Sequence, residues 1–197
     1  MRLIKEFELA KKALDESKVI AFPTETVMGL GVYYDDYVAY KLLNEIKGRP
    51  EDKPYTLMLG STTKIEDYAY LSERDKKIIS KFMPGAITVL LKSKENVPGY
   101  VTHNTGVIGI RVPNLKLVQN LINYLNKPLL VPSANKSGNK PALTSLEVKE
   151  IFGNELGYIL EGKSEGGVPS TIVDLTKEEV RIIREGPISL KDILSVL

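Results

Sequence analysis

Three cations stand close together in the stretch KGRPEDKPY: Lys47, Arg49 and Lys53. A turn fixed by Gly48 and Pro50 would hold Lys47 and Arg49 two residues apart and let them point the same way. Such a Lys-x-Arg pair suits a polyphosphate, because a guanidinium grips phosphate through two parallel hydrogen bonds and an ammonium adds a compact point charge. Cations at the end of a helix also answer the helix dipole, so position alone leaves capping open. A second cluster lies in PSANKSGNKPALT, where Ser133 and Asn135 alternate hydroxyl and amide just past an apolar run. These groups can donate to a phosphate or to a base edge, or close an ordinary turn with Ser137 and Gly138.

Other polar groups interrupt apolar segments. In PTETVMGLG, Thr24, Glu25 and Thr26 follow a proline and are either self-capping turn residues or ligand contacts. Arg111 lies inside VIGIRVP, where alternation places Val107, Gly109 and Arg111 on one face. A cation there needs an anion, either an internal carboxylate or the carboxylate of a substrate. Ser170 and Thr171 follow a Gly-Gly-Val-Pro loop, and Arg184 ends the run VRIIREG. The single histidine, His103 in HNTG, is given no role. No Gly-x-x-x-x-Gly-Lys-Ser/Thr string exists, and GLG is too short to count as a dinucleotide fingerprint.

The elements that position these groups alternate in type. A helix is expected over about residues 7–17, then the strand VIAF, with TETVMGLG as a loop after it. DYVAYKLLNEIKG has helical spacing of Val38, Leu42, Leu43 and Ile46, with Gly48 as its stop. YTLMLG and ITVLLK are strand-like, separated by the helix SERDKKIISKF with Ser72 and Asp75 as an acidic capping pair. The strand VIGIRV, the amphipathic helix LKLVQNLINYL and the buried strand PLLVPS follow. The helix LEVKEIF, the strands YILEG, TIVDL and VRIIRE, and a helix from Ser189 end the chain. This alternation implies an α/β sheet in two or three layers, of mixed order, with polar loops directly after strands where open sheets place ligands.

Composition narrows the chemistry. The 197 residues suit one domain, and 43% hydrophobic with 26% charged residues describes a globular chain. There is no cysteine and one histidine, which excludes disulfides, thiolate zinc sites, cysteine nucleophiles and multi-histidine metal sites within the chain. The net charge of +2 is no basis for nucleic-acid binding by bulk charge. The N-terminal segment reads as an amphipathic helix containing acids, so no signal peptide is expected and residence is expected to be cytoplasmic.

Taken in order, PTET-x-x-GLG, KGRP with KP soon after, PG-x-x-T-x-x-L, IRVP, PSAN-x-SG, PSTIVDL and a late R-x-G form a specific series. The series resembles the YrdC-type family of threonylcarbamoyl-AMP synthases over about Ile20 to Ile188, with Lys47-Gly-Arg49 and Ser133-Ala-Asn135 as its signature. The resemblance implies a single domain over residues 1–197: a twisted, mixed open α/β sheet with flanking helices and a concave basic cavity. It also implies an enzyme that makes L-threonylcarbamoyladenylate and pyrophosphate from L-threonine, bicarbonate or carbon dioxide, and ATP. A downstream tRNA threonylcarbamoyl transferase would receive the product. Lys47, Arg49, Ser133 and Asn135 would be catalytic. ATP would be bound by these four with Lys53 and Arg184, and threonine by Thr26, Arg111, Val131 and Ser170. Magnesium would come with ATP, held by phosphate oxygens and water with no dedicated carboxylate cage.

Met28 stands where the family usually has Tyr, and Met58 where longer two-domain relatives carry a His that contacts threonine. The chain also ends at Leu197, so the extra C-terminal domain of those relatives is not expected. Two rival functions share the resemblance: a double-stranded RNA-binding or ribosome-maturation paralogue, and a domain handling carbamoyl-adenylate in hydrogenase maturation. RNA, as tRNA or duplex, is thus a possible partner, and a membrane is not.

Overall fold

The computed structural model describes residues 2–48 and 54–197. Helix α1 (Arg2–Asp15) leads into β1 (Ile20–Phe22), β2 (Gly29–Tyr33), α2 (Tyr37–Lys47) and β3 (Thr56–Met58). A 3-10 helix (Thr62–Asp67), α3 (Glu73–Phe82), β4 (Ile87–Lys92), the short α4 (Gly99–Thr102) and β5 (Val107–Arg111) follow. The last part contains α5 (Lys116–Leu125), β6 (Leu129–Val131), α6 (Ser145–Phe152), β7 (Tyr158–Ile159), β8 (Thr171–Asp174), β9 (Arg181–Arg184) and α7 (Leu190–Leu194).

Helix ends follow their capping residues. Ser72 and Asp75 form the reciprocal box at the start of α3, and Thr144 with Glu147 and Ser189 with Asp192 do the same for α6 and α7. Gly48 stops α2 in the left-handed region at φ 56°, where its N–H bonds back to the carbonyls of Asn44 and Glu45.

The strands form one mixed sheet in the order β7-β1-β2-β6-β3-β5-β4-β8-β9. β1/β7, β3/β5 and β4/β8 are parallel, and the remaining neighbours are antiparallel. Strand β2 is the main correction to the sequence expectation, because Gly29, Leu30 and Gly31 belong to a strand and not to the loop TETVMGLG. A Cβ on Gly31 would stand 2.7 Å from the Phe22 ring, and one on Gly29 would stand 2.9 Å from Val131 Cγ1. The glycines are therefore strand positions that make room for a neighbour's side chain, a use of glycine that resembles a loop in sequence.

Both faces of the sheet are buried, which gives three layers. On one face Phe7, Ala10 and Leu14 of α1 and Val118, Leu121 and Ile122 of α5 pack over Ile20, Phe22, Leu129 and Val131. On the other, Leu43 and Ile46 of α2, Ile78 of α3 and Val148 of α6 pack over Leu30, Val32, Ile108, Ile110 and Leu130. Each such side chain contributes on the order of 1.5–3 kcal/mol by leaving water. Val38, expected on the inner stripe of α2, is 63% exposed, and Ala39 and Tyr40 take the inner face instead. Because Ile108 and Ile110 point into the larger core, Arg111 projects from the opposite face, as its alternation predicts.

Candidate functional site

On the face carrying Arg111 lies an open cleft with a cavity volume of about 120 Å³. Expected residues from distant parts of the chain converge on it: Thr26 after β1, Arg111 at the end of β5, Val131 and Ser133 at the end of β6, Ser170 before β8, and Arg184 at the end of β9. Met28 and Met58 also line it. Lys47 and Asn135 do not line the cleft but hold the loop that presents Ser133, and Arg49 and Lys53 lie outside the described residues.

Around Arg111 the protons can be assigned. Arg111 Nη2 donates to Thr26 Oγ1 at 2.9 Å. Thr24 Oγ1 donates to the carbonyl of Val27 at 2.7 Å, so in the 2.8 Å contact between the two threonine hydroxyls Thr26 must be the donor. Thr26 Oγ1 is left with one lone pair, and to the cleft it is an acceptor only. The anion that Arg111 requires is internal: Glu25 Oε1 lies 2.8 Å from Nη2, with the two side chains 21% and 7% exposed. The segment after β7 covers this turn. Thr24 N donates to Ser164 Oγ at 3.1 Å, Gly167 N donates to the carbonyl of Thr26 at 2.9 Å, and a Cβ on Gly166 would stand 2.5 Å from the carbonyl oxygen of Glu25.

Near β8, Arg184 donates through Nε and Nη2 to the carbonyl of Ser170 at 3.1 and 2.7 Å, and through Nη2 to Ser170 Oγ at 3.1 Å. That hydroxyl also lies 2.9 Å from Thr88 Oγ1. The glycine of R-x-G has a local reason, since a Cβ on Gly186 would overlap the backbone nitrogen of Thr171.

The loop after β6 closes on α2. Lys47, 2% exposed, sends its ammonium to the carbonyls of Ser133 at 2.6 Å and Asn135 at 2.7 Å. In return, Ser137 N donates to the Lys47 carbonyl at 2.8 Å. Ser133 Oγ donates to Asn135 Oδ1 at 2.6 Å, while Asn135 Nδ2 donates to the carbonyls of Lys136 and Asn139. Ser133 and Pro132 are thus the members of this loop that line the cleft. Tyr55 lines the cleft beside them, with its hydroxyl on Asn44 Oδ1 at 2.5 Å and its ring edge-on to Tyr40. Tyr100 packs at a tilt against Tyr40 in the same aromatic group, and burial with the nearby Asp35 and Asp36 pushes its phenol up to about 12.

Thr24 and Thr88 line the cleft, and Glu25 lies behind the lining against Arg111, without having been assigned a role. Thr24 and Glu25 had a signal in PTET and Thr88 in PG-x-x-T-x-x-L; what the sequence lacks is any mark of their partners. Among the described residues no three carboxylate or histidine side chains gather to hold a metal ion. The described lining of the cleft offers hydroxyls and guanidinium groups, a donor set that fits the phosphates of a nucleotide.

The mixed α/β sheet carries a hydroxyl-rich cleft with two guanidinium groups in it, a lining that suits an anionic small molecule. The chain belongs to the Sua5_yciO_yrdC family, whose model, described as "Telomere recombination", matches residues 12–186. It is 33% identical to the threonylcarbamoyl-AMP synthase of Pyrococcus abyssi, over 98% of this chain and 57% of that protein. It is 34% identical to the threonylcarbamoyl-AMP synthase of Vibrio campbellii, over 93% of this chain and 100% of that one. Among solved structures it superposes on P. abyssi Sua5 complexed with L-threonine with a TM-score of 0.92 and 33% identity, covering 97% of this chain and 57% of the other. The chain thus spans little more than half the length of the Pyrococcus relative and the whole of the Vibrio one. Among the described residues no helix is long and apolar enough to cross a membrane.

Proposed function

We propose that this chain is an L-threonylcarbamoyladenylate synthase, a nucleotidyltransferase that takes L-threonine, bicarbonate or carbon dioxide, and ATP as its magnesium complex. The observation that carries this reading is the joining of Arg111 with Thr26, and of Ser133 with Arg184, in a single cleft. The names of the relatives and the threonine-bound Sua5 structure support the same substrate.

The amine of threonine attacks the carbon of carbon dioxide and, after losing a proton, becomes a carbamate. A carbamate oxygen then attacks the α-phosphorus of ATP, the bond from that phosphorus to the bridging oxygen breaks, and pyrophosphate leaves with the electron pair. No side-chain nucleophile is needed, so the protein's work is positioning and charge stabilisation. Arg111 would take the threonine carboxylate. Thr26 Oγ1, an acceptor only, would accept a hydrogen bond from the ammonium or the hydroxyl. Val131 and Ser170 would complete that end. Arg49, Lys53, Ser133 and Arg184 would bind the triphosphate, with Lys47 and Asn135 assigned to the same end and braced into the loop that carries Ser133. The product is a mixed anhydride that hydrolyses readily, which supports direct use by a tRNA threonylcarbamoyl transferase in the cytoplasm.

Incubation with ATP, L-threonine and bicarbonate, with pyrophosphate as the readout, tests this. Release that requires all three is expected. No release, or release that ignores threonine, overturns the reading.

A further inference from the structure

Glu25 has no role in the assignment above, yet its chemistry is unfinished. Its Oε1 lies 2.8 Å from Arg111 Nη2. Both of its carboxylate oxygens, and Arg111 Nε, are nevertheless buried without a geometrically sound hydrogen bond. The side chain as a whole is 21% exposed, so the exposure falls on its methylenes and the charge is sealed in. Buried acceptors without donors are costly, and they persist where a ligand or a function compensates.

Arg111 alone would make this end of the cleft cationic and open to any small carboxylate. With Glu25 against its Nη2 edge, the pair has no net charge and forms a dipole, positive toward the cleft and negative toward the turn that bears Thr26. Thr26 Oγ1 adds a second negative feature, because its proton is committed to Thr24 Oγ1 and only a lone pair faces the cleft. A ligand complementary to this arrangement carries both signs: a carboxylate toward Arg111 and an ammonium toward the Glu25 and Thr26 side.

We propose that Glu25 makes this end of the cleft selective for zwitterions, so that it takes free α-amino acids over the corresponding α-hydroxy acids. Glu25 is a positioning residue that acts through Arg111 and through its own charge; it does not touch the reacting atoms. The inference rests on the amino-acid role given to Arg111 above.

The test is calorimetric titration of the chain with L-threonine and with the matching 2,3-dihydroxybutanoate, in which a hydroxyl replaces the ammonium. Wild type is expected to prefer threonine by about tenfold or more, the scale of a close charge pair in a partly desolvated site. Glu25→Gln is expected to reduce that preference by about tenfold, and Glu25→Asp, which keeps the charge, to retain most of it. A purely structural role would weaken both ligands alike and leave their ratio unchanged. An unchanged ratio in Glu25→Gln, or no preference in wild type, overturns the proposal. Should Glu25→Gln fail to fold, Glu25→Asp against Glu25→Asn supplies the same charge comparison. Failure of wild type to bind threonine at all overturns the synthase reading itself, which separates the two.

Discussion

Arg111 and Lys47 are both cations buried at the site, 6% and 2% exposed, but they are held in opposite ways. Arg111 rises from the end of a strand. One edge of its guanidinium rests on a hydroxyl and a carboxylate, and the residue lines the cleft. Lys47 ends a helix, and its ammonium reaches across to two carbonyls of the loop after β6 without lining the cleft. The strand-borne cation lines the cleft, whereas the helix-borne one uses its charge to hold the loop that carries Ser133. The chemistry of the partners explains the division. Loop carbonyls are not committed to a ladder, so they can solvate an ammonium inside the protein. A guanidinium is planar and can be satisfied along one edge while the other remains available.

The largest effect is therefore expected from Lys47→Met. Removing the ammonium leaves the Asn135 carbonyl without that donor, at about 1–3 kcal/mol, and leaves the Ser133 carbonyl with only the N–H of Asn135. The melting temperature should fall by several degrees, given roughly 2–4 °C per kcal/mol for a chain of this size, and pyrophosphate release should be lost with it. If Lys47→Met melts like wild type and only the KM for ATP rises, Lys47 presents its charge as Arg111 does, and the contrast between them fails.

Arg111→Ala comes next. The KM for threonine should rise about 100-fold, as for truncation of one member of a buried charge pair, with the KM for ATP changed by less than about threefold. Steady-state kinetics with each substrate varied in turn would show it. Equal changes in the two constants would make Arg111 a builder like Lys47.

This division was only partly legible in the sequence. Caps were, because Ser72 with Asp75 and Gly48 act on backbone groups within one turn of themselves. Strand alternation also placed Arg111 on the correct face. Strand β2 was hidden because Gly29 and Gly31 answer to Phe22 and Val131, whose approach is a tertiary fact. The destination of Lys47 was hidden for a similar reason, since a carbonyl acceptor 86 residues away has no side-chain signature. The need of Arg111 for an anion was evident, and both an internal and a substrate carboxylate were open. Only the fold shows that Glu25 fills the internal role while the residue still faces the cleft.

The smallest effect sharpens the Arg111 side of the comparison. Thr26→Val keeps the shape of the side chain and removes Oγ1. Arg111 Nη2 then loses its acceptor but keeps Glu25, and Thr24 Oγ1 still accepts from Thr26 N at 3.1 Å and donates to the carbonyl of Val27. Loss of one charged hydrogen bond of about 1.5 kcal/mol should raise the KM for threonine roughly tenfold and leave that for ATP unchanged. Thr26→Ser restores the hydroxyl and should restore the constant. If Thr26→Val binds threonine as wild type does and only Thr26→Ser is impaired, the methyl group of Thr26 carries the effect by packing, and Arg111 is positioned by Glu25 alone.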